Sequence, residues 1–190
     1  MLTPWQLPTE AVIGGIRYAI HADYRDILEI FSYFDDPELP EYLRWQIALA
    51  LFFEGKIPQE DTQAAMEYLL CFLNCGRQEQ GKPGPKLLDW QQDADLIVAD
   101  VNRVSGQEVR ALPFVHWWTF MAWFHAIGEG QLSSIVAIRD KLRRGKKLEK
   151  WEKDFYRENK SRVDMKKKYS QAELQEQDRL KALLDGKEVR

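Results

Sequence analysis

Thiols, imidazoles and clustered carboxylates are the side chains here whose types could do chemistry. Cys71 and Cys75 lie on one stretch, and His116 and His125 are the histidines that could join them around a metal. A zinc site built from both residue types normally uses a tight cysteine knuckle with a matching histidine pair. The two histidines sit nine positions apart in an apolar segment, so nothing forces the pairs together. Buried thiols and packed imidazoles are expected, with no metal and no cofactor. Asp89, Asp93, Asp95 and Asp100 could hold a cation or donate a proton, and Asp89 and Asp93 share a helix face. No basic or nucleophilic partner accompanies them, and acids at the start of a helix follow from capping and the helix dipole. No G-x-S-x-G, P-loop or G-x-G-x-x-G occurs. Gly81-Lys82-Pro83-Gly84 does not make a phosphate cradle, because proline removes an N–H that the anion would need. The residues point away from an enzyme, and no catalytic residue is expected.

Binding chemistry is better represented. The net charge of −3 hides a division, since residues 139–190 hold 18 Lys and Arg against 11 Asp and Glu, a surplus of seven. Residues 1–138 hold 9 basic and 19 acidic residues, a deficit of ten. An acidic body therefore carries a basic tail, which suggests nucleic acid, an acidic partner, or contact between tail and body. Lys141, Arg143, Arg144, Lys146 and Lys147, then Lys166, Lys167 and Lys168, could neutralise phosphates. Base recognition needs a docked motif and single-strand binding an aromatic platform; Trp151, Phe155 and Tyr156 interleave with the charge, but Glu149, Glu152, Asp154 and Glu158 interrupt the positive field, which disfavours nucleic acid. The other conspicuous segment, Phe114 to Ile127, has almost no polar side. At about 100° per residue its Trp117, Trp118 and Trp123 cannot share one face. Either this helix is the post of the core, or part of it is covered by another subunit or a ligand chain.

These residues need elements to hold them. Thr9–Ile13 and Ile16–Ile20 read as a hairpin turning on Gly14-Gly15, because a type I′ turn needs positive φ at both central positions. Helical spacing starts after Asp23, a candidate cap, and stops at Asp35-Asp36-Pro37. Further helices are expected over Pro40–Phe53, from Pro58 to Gly76, from an Asp89 cap to Gly106, from Pro113 to Gly128, and from Ser133 or Ser134 to Arg144. The polar run between Gly76 and Lys86 is a loop. After Gly145 the texture becomes charged, with Leu148, Trp151 and Phe155 forming a narrow stripe, and Gln171–Leu184 carries only Leu174, Leu180 and Leu184 as anchors. The expected fold is mainly α: a helical bundle with a short N-terminal β-hairpin over 1–145, followed by a charged, basic amphipathic helical arm over 146–190.

The composition bounds the class. With 45% hydrophobic and 30% charged residues the chain is globular, and its 190 residues suit one core with an appendage. No run of about 18 apolar residues exists, so no membrane partner is expected. The start Met1-Leu2-Thr3-Pro4-Trp5-Gln6 lacks a basic region and an apolar region, so no secretory signal is expected. Two cysteines do not make a disulfide framework, which favours a reducing cytoplasm.

Leu88-Asp89-Trp90 followed by Asp93-Ala94, then Val115-His116-Trp117-Trp118-Thr119-Phe120, then Ile138-Arg139 ahead of a charged helix, resemble the bacteriophage gene-product-fifteen family. Upstream, the hairpin at Gly14-Gly15, Tyr18 and Asp23-Tyr24-Arg25 follow a similar order, and the likeness spans about residues 5 to 160. His-Trp-Trp is its most specific element; Val115 stands where leucine is expected, which changes no chemistry. The resemblance implies a small protein of a long-tailed phage whose gene lies in the tail module, between those of the tail-tube and tape-measure proteins. That in turn implies a tail assembly chaperone or related morphogenesis factor in the host bacterial cytoplasm, with no catalytic residues to transfer.

A tape measure is a long helical chain with apolar stripes, and holding it calls for helix-in-groove contacts. The expected client surface is Trp118, Phe120 and Trp123. The arm, with Trp151, Phe155, Lys166, Lys167 and Lys168, is expected to close over the client or to join neighbouring copies in a homo-oligomer. The expected partners are the tape-measure protein and, beside it, the tail-tube protein. Two other readings stay open: a structural virion component of the tail or head–tail connector, and a nucleic-acid-binding regulatory protein acting through the basic arm.

Overall fold

The computed structural model describes residues 5–77 and 84–184. The loop positions Gly81, Lys82 and Pro83, the start Met1–Pro4, the last residues of the arm and the side chain of the expected anchor Leu184 lie outside the described set. The fold is mainly α, with a two-stranded antiparallel sheet at the N-terminus. Strand β1 (Glu10–Ile13) pairs with β2 (Ile16–Ala19) in the register Glu10↔Ala19 to Ile13↔Ile16. Gly14 and Gly15 turn it with φ of 56° and 82°, the left-handed region in which a Cβ is strained. Ala11, Ile13 and Tyr18 are the buried positions of the ribbon. The Tyr68 hydroxyl donates to Glu10 O at 2.9 Å and ties β1 to the helix beneath it; desolvation by burial, helped by Cys71, pushes that phenol up to about 12.

Helix α1 (Tyr24–Phe34) begins where the Asp23 carboxylate accepts the Arg25 N–H, and it buries Tyr24, Ile27 and Ile30 at helical spacing. Helix α2 (Glu41–Phe52) follows Pro40, whose extended φ/ψ sets the entry, and α3 (Thr62–Leu73) follows a 3₁₀ turn at Gln59–Asp61. Helix α4 (Ala94–Ser105) starts five residues later than the expected Asp89 cap. Asp89 instead accepts the N–H groups of Gln91 and Gln92 and caps a separate turn. Helix α5 (Trp117–His125) starts later than Pro113, because Val115 is drawn into contacts with Asp23 and Tyr24 and His116 takes the cap position. Helix α6 runs over Gln131–Arg143.

Helices α7 (Lys150–Glu158), α8 (Lys160–Val163) and α9 (Gln171–Leu184) make up the charged segment. The main core joins the hairpin to α1–α5 and Leu132. A second cluster joins Ile135, Ile138 and Val163, with Leu148, Phe155, Tyr156 and Leu96 packed against it. The expected single stripe at 148, 151 and 155 is corrected on this point. Leu148 and Phe155 face α6, Trp151 faces outward at 56% exposure, and the buried position of the first turn of α7 is Glu152. Glu152 is accommodated because Lys141 Nζ donates to it at 2.6 Å and the Glu149 N–H at 2.7 Å. Residues 148–164 therefore dock on α6, and the exposed length of the arm is α9.

Candidate functional site

The His-Trp-Trp run is a junction of five chain segments. His116 Nδ1 accepts the Trp118 N–H at 3.0 Å and so caps α5, while its Nε2 lies 3.0 Å from Pro8 O. An acceptor at Nδ1 and a carbonyl at Nε2 fix the neutral tautomer with the proton on Nε2. Burial lowers the pKa of this imidazole, opposed by the bond to Pro8. The next two indoles reach across to the end of α3: Trp117 Nε1 donates to Leu73 O at 3.0 Å and Trp118 Nε1 to Phe72 O at 2.9 Å. Both carbonyls belong to the last turn of α3, where intrahelical donors run out; Phe72 O also accepts the Cys75 N–H at 2.9 Å. The Trp117 backbone N–H donates to Ala22 O at 2.7 Å, and the Asp23 carboxylate accepts the Val115 N–H at 2.8 Å. Arg25 completes the joint: it pairs with Asp23 at 3.0 Å and donates to Leu112 O at 2.6 Å.

This junction settles which face of α5 is inside. Trp118 is 6% exposed and Phe120 2% exposed, and Phe120 stacks on Tyr24 with ring centroids 4.6 Å apart. The contact surface expected at these two side chains is corrected: both are core residues, because the start of α5 is pinned by three elements at once. Trp123 is half-buried and packs on the same core. What α5 offers outward is smaller in side chain. A groove of about 860 Å³ runs between its outer side and the end of α3, lined by Leu7, Cys75, Arg77, Met121, Ala122 and Ala126, with the edge of Trp118 in its wall. Leu7 and Arg77 were not singled out from the sequence, since neither belongs to a periodic pattern that marks a face. Cys75 lines the groove with φ of 54°, and burial pushes its thiol up. Among the described residues no group of three or more His, Cys, Asp or Glu could hold a metal ion.

A second junction holds the charged segment. Arg139 on α6 and Asp93 have side chains 3% and 2% exposed and pair at 2.7 Å and 2.9 Å. The remaining donors of the guanidinium go to Leu87 O at 3.0 Å, Val163 O at 2.8 Å and Arg162 O at 2.7 Å, so all five are used. The Gln92 amide repeats the connection: its Nε2 donates to Asp164 O at 2.8 Å, and its Oε1 accepts the Lys166 N–H at 2.9 Å. Lys166, Lys167 and Lys168 are exposed, and Lys168 Nζ donates to Gln91 at 3.1 Å. Three of the four clustered aspartates are thereby engaged, and the fourth, Asp95, stands in the first turn of α4. Asp89 caps, Asp93 pairs with Arg139, and Asp100 pairs with Arg103 at 2.8 Å. For Asp89, burial pushes the carboxyl up, but the Gln92 and Gln91 N–H groups and Lys86 outweigh it and leave the pKa lowered.

The segments meeting at these two junctions include Pro8, Asp23–Arg25, Phe72–Leu73, Leu87–Asp93, Val115–Phe120, Ile138–Arg139 and Arg162–Asp164. A family model described as bacteriophage Gp15 protein matches residues 6–170, which includes all of them. The chain belongs to that family. No curated protein and no solved structure matches it. The family match stops just before α9 and takes in the docked helices α7 and α8, so the arm divides in sequence near the place where it divides in packing. Among the described residues no helix is long and apolar enough to cross a membrane.

Proposed function

We propose that this phage protein is a tail morphogenesis factor, a non-catalytic tail assembly chaperone that holds a helical segment of the tape-measure protein in the host cytoplasm. The observation that supports the reading is the groove beside α5, whose floor of Met121, Ala122, Ala126 and Leu7 is apolar and whose rim carries Arg77 and His125. An amphipathic helix laid in such a groove buries its apolar stripe and leaves its polar face wet. The small side chains of Ala122 and Ala126 give a client backbone room to approach, and the two junctions keep the wall rigid before the client arrives, which lowers the ordering cost of binding. The client surface is thus the outer side of α5, with Trp118 as a buttress rather than an exposed anchor.

Co-expression tests this. The tape-measure protein is produced alone, with the parent chain, and with a chain carrying Ala122→Glu and Ala126→Glu, both exposed sites that leave the core alone. The parent should keep the client in the soluble fraction, and the double variant should lose that effect while melting like the parent. A client equally soluble with and without the parent refutes the assignment.

A further inference from the structure

Two features at the two ends of the order in which the elements pack complement each other. Element contacts run from the hairpin and α3 through α2, α1 and α5 to α4, then to α6 and finally to α8 and α7. The far end is cationic: residues 139–168 hold 14 Lys and Arg against 6 Asp and Glu. Trp151 stands out of it at 56% exposure. Lys146, Lys147, Lys150 and Lys153 around it in sequence are exposed and form no ion pair among the described residues, while Asp154, one turn on, is engaged by Arg157 at 3.0 Å. The near end carries an apolar groove of about 750 Å³ between the end of α2 and the chain leading into α3, lined by Leu49, Ala50, Phe53, Ile57 and Pro58. Glu54 and Glu60, next in sequence to the lining residues Phe53, Gly55 and Gln59, are exposed and without an ion pair among the described residues, and Lys56 is the charged residue of the lining itself.

We propose that this groove is the seat for Trp151 of a second copy of the chain, with the lysines around the indole facing Glu54 and Glu60. The contact is heterologous, a knob on one surface entering a hole on another, so each copy keeps one unused half that can take a further copy unless the contact is returned. An exposed indole beside lysines and an empty apolar groove beside carboxylates each leave apolar surface in water, and joining them removes both. Opposite charges then orient the encounter more than they strengthen it. This contact uses neither Met121 nor Ala122, so it stands or falls separately from the α5 groove.

Sedimentation velocity on the full chain, from about 1 μM to about 1 mM, gives the test. Mass should rise with concentration and fall back as salt screens the charges. Trp151→Glu and Ala50→Glu, both at exposed positions, should each remain monomeric and melt like the parent. Mixed together they should form a two-chain species and nothing larger, because one supplies an intact groove and the other an intact indole. Glu54→Lys with Glu60→Lys should weaken association several-fold, and Lys147→Glu with Lys150→Glu on the partner copy should restore it. A parent chain that is monomeric throughout overturns the proposal, as does association that survives either single variant, or a mixture that stays monomeric. A monomeric parent that instead shifts duplex DNA assigns the cationic end to nucleic acid and overturns it as well.

Discussion

Replacing Arg139 by alanine is the most informative perturbation of this fold, because one side chain holds three segments that otherwise touch through a small apolar cluster. The substitution removes two bonds to Asp93 and one each to Leu87 O, Arg162 O and Val163 O. Asp93 is left almost fully buried with the Asp89 N–H at 2.9 Å as its remaining donor. Breaking a buried pair by deleting one partner costs about 3–5 kcal/mol, mostly the penalty of an uncompensated charge. Three carbonyls lose a donor as well, but those at Arg162 and Val163 can recover water if α8 lifts away. That escape sets the form of the damage. The cluster around Val163 supplies only about 1.5–3 kcal/mol per fully buried aliphatic side chain, which is comparable to what the lost clamp withdraws. Local release of α7 and α8 should therefore come before global unfolding.

Two measurements separate those outcomes. Urea unfolding should show a loss of about 3–5 kcal/mol, and amide exchange should show residues 150–164 losing protection while α1 and α3 keep theirs. Arg139→Lys should be nearly as damaging, since a single ammonium cannot reach four acceptors in a fixed fork. Arg139→Met combined with Asp93→Leu should recover much of the loss, because a matched apolar pair leaves no buried charge. A loss under about 1 kcal/mol for Arg139→Ala, or unchanged protection over 150–164, would refute the reasoning that the clamp docks the charged segment.

Other outcomes follow from the first junction and the turn. The lowered pKa of His116 means that its folded form favours the neutral ring, so its contribution is complete at neutral pH. It is lost as pH falls below the ordinary imidazole range of about 6.5 and through the folded value. The melting temperature of the parent should drop over that interval relative to His116→Asn, which keeps a capping oxygen but does not titrate. Trp118→Phe should cost about 0.5–1.5 kcal/mol beyond any packing change, because Phe72 O loses its indole donor and keeps only the Cys75 N–H at 2.9 Å; equal urea midpoints would contradict that. Gly14→Ala should destabilise more than Gly15→Ala, since a Cβ on Gly14 would meet the Asp61 carboxylate at 2.2 Å whereas one on Gly15 meets nothing within 4 Å. Both should lose about 1–2 kcal/mol to the positive φ alone, and thermal melts of the two variants give the order.

What was legible in the sequence was local. Gly14-Gly15 could serve one kind of turn and Asp23 one kind of cap, and each is found there, with Tyr24, Ile27 and Ile30 on the buried face of α1. The aromatic segment was ambiguous for a physical reason. Nearly every side chain from Phe114 to Ile127 is apolar, so periodicity cannot point to a solvent face. What decides the matter is where two indole N–H groups find acceptors, and those lie at Phe72 and Leu73, more than forty residues away. The docking of the charged segment was not legible for the opposite reason. Its apolar positions are sparse, but a buried Glu152 and a buried Arg139 do the work of apolar anchors once each is paired. One signal was available. Leu132, Ile135 and Ile138 form a stripe on α6, and Arg139 occupies the next place on it, seven residues after Leu132. A cation on an apolar stripe calls for a buried carboxylate, and Asp93 in the body was a candidate.

The two junctions also place a demand on the sequence that has nothing to do with reactivity. His116, Trp117, Trp118, Asp23 and Arg25 bond to one another, to the end of α3 and to the turn before α5, so a change at any one removes a bond from another segment. The reward is positional: α5 is presented at a set height beside the end of α3, with small residues outward. Arg139, Asp93 and Gln92 do the same for α7 and α8, leaving Trp151 exposed on α7. Rigid polar joints deep in the chain therefore fix the placement of two apolar features at its surface. A residue type that reads as catalytic in the sequence, such as His116 or Asp93, is spent on geometry.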